Sequence, residues 1–288
     1  MLTMKFPQVL KMLVELSLKH LNSLKEGNFE EGVRQLRILV TGSTGQLGTA
    51  LLDQLKNSDH DVRVTSRSKP EDMEHFEWVY TDLLSGEGLE EAVKDVDIII
   101  HAATSPIKNA KKIEIEGLKN MLSKIQHISH FIYPSIVGIE EIPWKYYRLK
   151  YEAEEWIKKS SIPYTIARAT QFHSFIESLL LSKPIFKRYI IPGNIKLQSV
   201  DVNEFAKHLI ELSNMVPQGR TKDFGGPEMK TLKEMAELKI KINNETNKVF
   251  SIPLPGKLYK ALLNGKNTNS HCKRGEITFE QFLGKDRI

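Results

Sequence analysis

The sequence lacks the cysteines that a disulfide-stabilised fold requires. Its 288 residues include a single cysteine, Cys272, so no intrachain disulfide can form. This cysteine usage fits a reducing compartment, and we expect a cytoplasmic location. At 40% hydrophobic residues, the chain can bury a substantial core without cross-links. Cys272 follows His271, but no second cysteine or suitably spaced histidine accompanies this pair, and we expect no metal site.

Long apolar runs and clustered basic stripes are also missing. No apolar run approaches the roughly 20 residues of a membrane-spanning helix, and the N-terminus lacks the features of a secretory signal, so we expect no membrane partner. Nucleic-acid binding requires a basic stripe with interleaved aromatic residues, which we do not find. The net charge is +5, and residues 171–288 carry 19 basic and 12 acidic side chains. This basic excess either steers an anionic ligand or is a solvated lysine-rich surface.

A glycine turn is the most informative feature that is present. The run Thr41-Gly42-Ser43-Thr44-Gly45-Gln46-Leu47-Gly48 follows an apolar stretch and precedes an amphipathic segment. A strand, a glycine turn and a helix in this order hold a dinucleotide pyrophosphate, because the helix amides and the helix dipole face the phosphates. We expect Gly42 to form the tight turn, Gly45 to admit the ligand, and Gly48 to let the helix pack closely on the sheet. The spacing alone also fits a generic strand–helix turn.

The end of the second predicted strand lacks the acidic residue that is typical of an NAD site. In its place the sequence has Ser66-Arg67-Ser68-Lys69. The Arg67 guanidinium can bind a 2′-phosphate in a bidentate manner, and Ser66 or Ser68 can add a hydrogen bond. We therefore expect NADP(H) to be preferred over NAD(H). The alternative is a solvated arginine at a strand end.

Strands and helices alternate from residue 37 onward. Hydrophobic periodicity predicts strands at 37–41, 61–65, 77–81, 97–102, 130–135 and 163–169, and helices at 46–57, 88–94, 109–126, 144–160 and 202–213. The nearly all-apolar fourth strand is typical of a central parallel strand covered on both faces. We expect an α/β fold over residues 37–288, a Rossmann-type doubly wound parallel sheet with a small C-terminal substrate lobe from about residue 171. We predict that residues 1–36 form an N-terminal helical extension. It either docks on the body of the protein, docks on a partner, or has little role.

A tyrosine and a lysine stand four residues apart on the helix predicted at 144–160. Tyr146 and Lys150 share one face of this helix, directly after the fifth strand, where parallel strands open into a ligand crevice. A lysine ammonium near a phenol lowers its pKa, so that the tyrosine can exchange a proton while hydride moves to or from a carbonyl carbon. Ser135 closes the fifth strand and is a candidate to polarise that carbonyl. Tyr147 is an alternative acid, and a surface tyrosine with a solvated lysine is the alternative without chemistry.

These residues together resemble the short-chain dehydrogenase/reductase superfamily in its extended or atypical branch, and more closely the NmrA-like NAD(P)H-binding proteins. The resemblance runs from about Ile38 to Gly275-Glu276-Ile277-Thr278-Phe279-Glu280. It implies Ser135, Tyr146 and Lys150 as the catalytic set. The cofactor contacts that we predict from the turn, the strand ends and this resemblance are Gly42, Ser43, Thr44, Gly45, Gln46, Leu47, Gly48, Arg67, Asp82, Ala102, Ala103, Thr104, Lys150, Thr170 and Phe172.

The resemblance is incomplete at the fourth strand. The family often has Asn-Ala-Ala-Gly there, whereas this chain has His101-Ala102-Ala103-Thr104, so any role of the Asn in a proton relay is not secured. The loop Thr170-Gln171-Phe172 is implied to lie near the nicotinamide, although Phe172 fits a core position equally well. His173 is expected to face the substrate space if this loop runs as in the family, but a lone histidine is more often structural. We interpret Glu152, Glu154 and Glu155 as a solvated helix face.

Two functions follow as expectations. The first is an NADPH-dependent oxidoreductase that transfers hydride to or from a small carbonyl or quinone-type substrate. The second is a non-catalytic NADP(H)-binding regulator or sensor of the NmrA-like type. The tyrosine and lysine favour the enzyme, and the N-terminal extension favours a partner surface. A protein partner and a homo-oligomer both stay open, and nucleic acid is not expected as a partner.

Overall fold

The computed structural model describes residues 35–70 and 73–285. Its strands, numbered in chain order, are β1 Arg37–Thr41, β2 Asp61–Ser66, β3 Glu77–Tyr80, β4 Ile98–His101, β5 His130–Ile136, β6 Tyr164–Ala169, β7 Arg188–Ile191, β8 Lys196–Leu197, β9 Gly219–Arg220, β10 Lys230–Thr231 and β11 Lys248–Ser251. Its helices are α1 Gln46–Leu55, α2 Leu89–Val93, α3 Leu118–Lys124, α4 Lys145–Lys159, α5 His173–Phe175, α6 Val202–Ser213, α7 Leu232–Ile242, α8 Lys257–Leu263 and α9 Phe279–Lys285. Single π-helical turns at Lys112–Gly117 and Ile176–Leu180 adjoin α3 and α5.

A seven-stranded parallel sheet forms the body of the molecule. Its strand order is β3-β2-β1-β4-β5-β6-β9, and every adjacent pair is parallel. The predicted α/β class with a Rossmann-type doubly wound sheet is confirmed. The helix predicted at 109–126 differs in detail, because a π-helical turn occupies Lys112–Gly117 before α3 begins.

Both faces of the sheet are covered, which explains the apolar central strands. Along β1, Ile38 and Val40 point to a core shared with α1 and α6, whereas Leu39 points to a core shared with α2, α3 and α4. All three side chains are fully buried. A strand with two buried faces has no position for a polar residue in its middle, and β1 and β4 therefore consist almost entirely of apolar residues.

The residues after 171 divide between the main sheet and a separate cluster. Helix α6 packs in the core of the sheet, and β9 extends its edge. The pairs β7–β11 and β8–β10 form two small sheets, and these pack with α7, α8 and α9 around their own apolar core. The helix predicted within residues 1–36 lies outside the described residues.

A buried arginine joins three elements of the first half of the sheet. Arg63 of β2 donates from Nε and Nη2 to the carboxylate of Glu77 in β3, at 2.9 and 3.1 Å. Its Nη1 donates to the backbone carbonyls of Glu91, Ala92 and Lys94, at 2.7 to 3.1 Å. These carbonyls lie at the C-terminal end of α2, and that of Glu91 also accepts the Lys94 amide at 3.4 Å. The Arg63 guanidinium therefore provides hydrogen-bond donors to the end of one helix and to one carboxylate.

We expect Arg63→Met to lower the free energy of unfolding by about 2–4 kcal/mol, because buried carbonyls and a carboxylate lose their donors. The control is Arg37→Met, which removes the half-exposed ion pair with Asp61 at 2.6 Å. This control should change the free energy by less than about 1 kcal/mol. Urea unfolding of both variants checks the prediction, and equal small losses would contradict the role of Arg63.

Candidate cofactor and active site

A cleft of about 750 Å³ opens at the carboxyl ends of the central strands. It lies at β1 and β4, where the strand order reverses, which is where doubly wound sheets bind ligands. The cleft brings together most of the residues predicted from the sequence. Those that line it are Gly42, Thr44, Gly45, Gln46, Leu47, Arg67, Asp82, Ala102, Ala103, Thr104, Ser135, Tyr146, Lys150, Thr170 and Phe172. Ser43 and Gly48 do not line it.

The glycine turn between β1 and α1 is closely packed. Gly42 has a φ of +68°, and a Cβ added there would lie 2.5 Å from the Cα of Ala103. A Cβ at Gly48 would lie 2.1 Å from the Gly42 carbonyl oxygen, so Gly48 permits the helix to pack on the turn itself. At Gly45, which lines the cleft, the added Cβ would meet only that carbonyl oxygen, at 3.3 Å. The side of Gly45 that faces the cleft is therefore open to a ligand.

The start of α1 offers backbone donors to an anion in this turn. The first amides of a helix have no intrahelical acceptor, and the first turn of α1 carries no acidic side chain that would compete for them. The Ser43 hydroxyl is not available for this purpose, because it is buried and donates to the Thr65 carbonyl at 3.2 Å. The Ser43 side chain therefore ties the turn to β2, and it does not line the cleft.

The region after β2 holds an arginine that is not engaged by the rest of the protein. Arg67 is exposed, lines the cleft, and makes no hydrogen bond or ion pair within the described residues. Ser66 is engaged: its hydroxyl donates to the Ser68 carbonyl at 2.6 Å and accepts from Trp78 Nε1 at 2.9 Å. Of the two serines predicted to contact a 2′-phosphate, Ser66 lines the cleft with its proton directed at the Ser68 carbonyl, and Ser68 does not line the cleft.

Two polar residues after β3 face the same part of the cleft. Asp82 uses Oδ1 to accept the Leu84 amide at 2.9 Å, which fixes the loop. Thr81 lines the cleft, and its hydroxyl oxygen is buried without a hydrogen-bond partner among the residues described.

A buried carboxylate that we did not predict lies close to Tyr146. Glu114, from the π-helical turn before α3, is 2% exposed. Thr104 donates its hydroxyl proton to Glu114, and Thr104 Oγ1 lies 2.6 Å from the Tyr146 hydroxyl. Because the Thr104 proton is directed at the carboxylate, we infer that Tyr146 donates to Thr104. The backbone amide of Ser105 also donates to Glu114, at 3.2 Å.

Lys150 is paired with Glu114 and does not contact the Tyr146 hydroxyl. Its Nζ lies 3.3 Å from Glu114 Oε2 and donates to the Tyr133 hydroxyl and the Pro134 carbonyl, each at 3.0 Å. The ammonium also lies 4.2 Å from the centre of the Tyr133 ring. All the ammonium's protons thus have acceptors within the floor of the cleft.

The pKa of Tyr146 moves opposite to the sequence-based expectation. Burial raises this pKa well above its ordinary value, and the negative charge of Glu114 raises it further, while the hydrogen bond to Thr104 acts in the other direction. The expected lowering by Lys150 is wrong because the lysine charge is neutralised by Glu114. Tyr146 therefore holds its proton at neutral pH. Burial also raises the pKa of the neighbouring Tyr147, to about 12.

Ser135 points its proton away from the cleft. Its hydroxyl donates to Glu154 Oε1 at 2.6 Å, and Glu154 is fully buried. Arg168 completes this cluster, since its Nε and Nη2 donate to the Glu154 carboxylate at 2.8 and 2.6 Å and its Nη1 and Nη2 donate to Glu140. Ser135 is thus not set to polarise a carbonyl in this structure. The interpretation of Glu154 as solvated is wrong, whereas Glu152 is exposed as expected.

His101 replaces the asparagine that the family often has. It is 2% exposed, and its Nδ1 lies 2.9 Å from Thr41 Oγ1. Burial, with a smaller effect of Lys150, lowers its pKa to about 3, so the ring is neutral. The ring also stacks on Tyr133 at a centroid distance of 6.2 Å. His101 therefore forms part of the cleft wall, with its Nδ1 hydrogen bonded to Thr41.

The loop after β6 forms the remaining wall. Phe172 lines the cleft and also packs on Phe205 of α6, at a ring distance of 6.0 Å, so both of its predicted roles are compatible with its place. Thr170 is buried and accepts the Gly226 amide at 3.3 Å. Gln171 donates to the hydroxyl oxygen of Tyr147, the alternative acid, at 3.1 Å.

His173 has a structural role. Its ring is 1% exposed, Nδ1 lies 2.7 Å from Ser199 Oγ, and Nε2 lies 2.9 Å from the Ile277 carbonyl. The ring packs against Phe279 and Phe282 of α9. The expectation that His173 faces the substrate space is therefore wrong, because the chain turns into α5 and buries it between the body and the C-terminal helix.

Two further kinds of site are not found. Within residues 35–70 and 73–285, no three histidine, cysteine or acidic side chains come together in a way that could hold a metal ion. In the same part of the chain, none of the helices has the length and apolar character needed to cross a bilayer.

Comparisons with known proteins agree with this geometry. Residues 42–176 match a family model described as NAD(P)H-binding. Photosystem II assembly factor Ycf39 of Trieres chinensis is 24% identical over 238 residues, covering 76% of this chain and 73% of that protein. Chloroplastic divinyl chlorophyllide a 8-vinyl-reductase of Cucumis sativus is 24% identical over 254 residues, covering 77% of this chain and 60% of that protein.

Solved structures show the same fold at low identity. A nucleoside-diphosphate-sugar epimerase from Staphylococcus aureus has a TM-score of 0.73 at 19% identity, covering 86% of this chain and 99% of that one. An NADPH-dependent quinone oxidoreductase from Escherichia coli, complexed with NADPH, has a TM-score of 0.72 at 15% identity, with the same coverage. These likenesses agree with the α/β fold of the main sheet.

The Glu114–Lys150 pair generates a stability prediction. Glu114→Gln and Lys150→Met should each lower the free energy of unfolding by about 3–5 kcal/mol, because each leaves its partner as an uncompensated buried charge. The double variant should lose clearly less than the sum of the two, since no charge remains unpaired. Urea unfolding of the four proteins measures the coupling. Additive losses would show that the two groups do not interact as the 3.3 Å distance indicates.

Proposed function

Starting from the NAD(P)H-binding domain that residues 42–176 form, we propose that the protein is an NADPH-dependent oxidoreductase that reduces a small carbonyl or quinone-type substrate. One observation carries the proposal: a single cleft joins the glycine turn and Arg67 at one end with Tyr146 and Lys150 at the other. A reductase that uses NADPH needs a site for the cofactor phosphates and a proton-transfer site in one continuous cavity. Among the similar proteins are an enzyme named as a reductase and one named as a quinone oxidoreductase.

The proposed chemistry assigns separate tasks to residues of the cleft. NADPH, when bound, supplies the hydride that forms the new C–H bond at the carbonyl carbon. Tyr146, which is protonated at neutral pH, supplies the proton that forms the O–H bond. The phenolate that remains regains a proton from solvent through the open cleft.

Lys150 acts through Glu114 in this proposal. Its charge lies 3.3 Å from Glu114 and limits the repulsion that the carboxylate exerts on a developing phenolate. Thr104 connects the two hydroxyl-bearing groups to that carboxylate. Tyr146 carries its proton at neutral pH, and the proposal assigns it the role of proton donor.

Arg67 is the proposed determinant of cofactor choice. Its guanidinium is exposed at the end of β2, where an NAD site typically has a carboxylate, and no described residue neutralises it. A 2′-phosphate would provide a bidentate partner. The cytoplasmic location expected from the single cysteine belongs to the same proposal.

A non-catalytic NADP(H)-binding function is the second candidate. The contacts of two side chains favour this candidate, because Ser135 donates to Glu154 and Lys150 is paired with Glu114. Neither is aimed at a substrate in the cleft. Among the similar proteins are several named as assembly factors. The two candidates differ in whether Tyr146 transfers a proton, and this difference can be measured.

We expect Tyr146→Phe to lower the rate of NADPH oxidation by about 100- to 10,000-fold, because it removes the general acid. The assay uses a panel of carbonyl and quinone acceptors, and binding of NADPH should change less than about threefold. Tyr151→Phe is the matched control, since Tyr151 lies on the same helix but is 41% exposed. It should keep the wild-type rate. Absence of turnover in the wild type, with NADPH binding retained, would favour the non-catalytic candidate.

We expect Arg67→Ala to weaken NADPH binding by about 10- to 150-fold, the loss of charge-assisted hydrogen bonds to a phosphate. Binding of NADH, which has no 2′-phosphate, should change less than about twofold. Arg148→Ala serves as the control, because Arg148 is exposed on α4 and does not line the cleft. Calorimetric titration of both cofactors measures the difference. An equal loss for both cofactors would remove Arg67 from the proposed role.

A further inference from the structure

A face of the C-terminal cluster exposes large apolar side chains beside strands β7 and β11. We call it the β7–β11 face and define it by Ile185, Phe186, Ile190, Phe250 and Ile252. Phe186 is 92% exposed, and the other four are between 40% and 59% exposed. An apolar group of this kind on the outside of a protein marks an interaction site more often than isolated exposed residues do.

The backbone holds this face together and makes Phe186 protrude. Strands β7 and β11 are parallel, with Ile190 opposite Phe250, and Ile185 closes a turn onto Arg188. Within this turn Phe186 and Lys187 have φ values of 47° and 55°. This left-handed region is unfavourable for a bulky residue and is accepted where the surrounding structure requires it. The result is an aromatic ring at the tip of a convex turn.

The segments that carry this face are rich in basic residues. Residues 182–191 and 246–260 contain six lysines and arginines and no aspartate or glutamate; the basic residues are Lys183, Lys187, Arg188, Lys248, Lys257 and Lys260. Arg188 lies 5.2 Å from the centre of the Phe250 ring. The adjacent Glu245 accepts hydrogen bonds from the neutral groups of Tyr189, Asn243 and Asn247, which do not cancel its negative charge. With Glu245 included, these segments still carry an excess of positive charge.

We propose that the β7–β11 face binds the surface of an anionic lipid bilayer. Exposed phenylalanine and isoleucine enter the interfacial layer of a membrane, while lysine and arginine attract anionic headgroups. A protein partner fits less well, because lysine is depleted at protein–protein interfaces and the tip formed by Phe186 is convex. The binding is peripheral and needs no spanning helix. It departs from the sequence-based expectation of no membrane partner.

Cosedimentation of the full-length protein with vesicles tests the proposal. We expect binding to vesicles of phosphatidylcholine mixed with phosphatidylserine, weak binding to phosphatidylcholine alone, and loss of binding at high salt. Phe186→Ser should weaken binding about 10- to 100-fold, the loss of one buried aromatic side chain. The triple variant Lys183→Ala, Lys187→Ala and Lys248→Ala should weaken it by about fivefold for each charge removed.

Two control variants distinguish binding through this face from nonspecific binding of the protein to vesicles. Val216→Ser removes an apolar side chain that is 79% exposed elsewhere, and Lys56→Ala removes an exposed lysine on the main body. Both should bind vesicles like the wild type, and thermal unfolding verifies that all variants are folded. Failure of the wild type to bind anionic vesicles would overturn the proposal, as would equal binding to neutral vesicles or equal losses in the controls. Retained NADPH binding in every variant keeps the result independent of the proposed catalytic function.

Discussion

The close approach of β1 and β4 at their carboxyl ends determines the shape of the candidate site. Gly42 lies so near Ala103 that a single added methyl group would lie 2.5 Å from the backbone. Thr41 fixes the same junction, because its hydroxyl contacts His101 and accepts the Ala103 amide. The chain leaves β4 at this point and presents Thr104 to Tyr146. The glycine turn and the Thr104–Tyr146 contact are therefore parts of one junction between two strands.

Helix α4 supplies the floor of the cleft through a polar stripe. Tyr146, Lys150 and Glu154 follow each other at intervals of four residues and so share one face of the helix. Each contacts a different element: Tyr146 contacts Thr104, Lys150 contacts Glu114, and Glu154 contacts Ser135 and Arg168. The stripe is buried, although its residue types are those of a solvated helix face. Its partners come from the turn before α3, from β5 and from β6.

Hydrophobic pattern was sufficient to predict six of the seven strands of the main sheet, because two-sided burial leaves an apolar run in the sequence. The two-residue strand β9 at the sheet edge was not predicted. The glycine turn was predictable for a similar reason, since the required backbone conformation restricts the residue type. The charged floor was not predictable in full. Glu114 stands in the polar-looking run Lys111-Lys112-Ile113-Glu114, and Glu154 stands among other glutamates. Sequence shows that a residue carries a charge, but burial depends on partners that are distant in the chain, here Lys150 and Arg168.

The buried charges are better explained by positioning than by stability. Apolar residues of similar volume often support a fold as well as a buried ion pair does, so the fold alone does not require Glu114 and Lys150. An apolar floor would, however, leave the Thr104 hydroxyl without an acceptor. With Glu114 present, Tyr146 donates to Thr104 and Thr104 donates to Glu114, and the pKa of Tyr146 is raised by the carboxylate as well as by burial. The carboxylate therefore fixes the direction of the hydroxyl chain and keeps the proton on Tyr146.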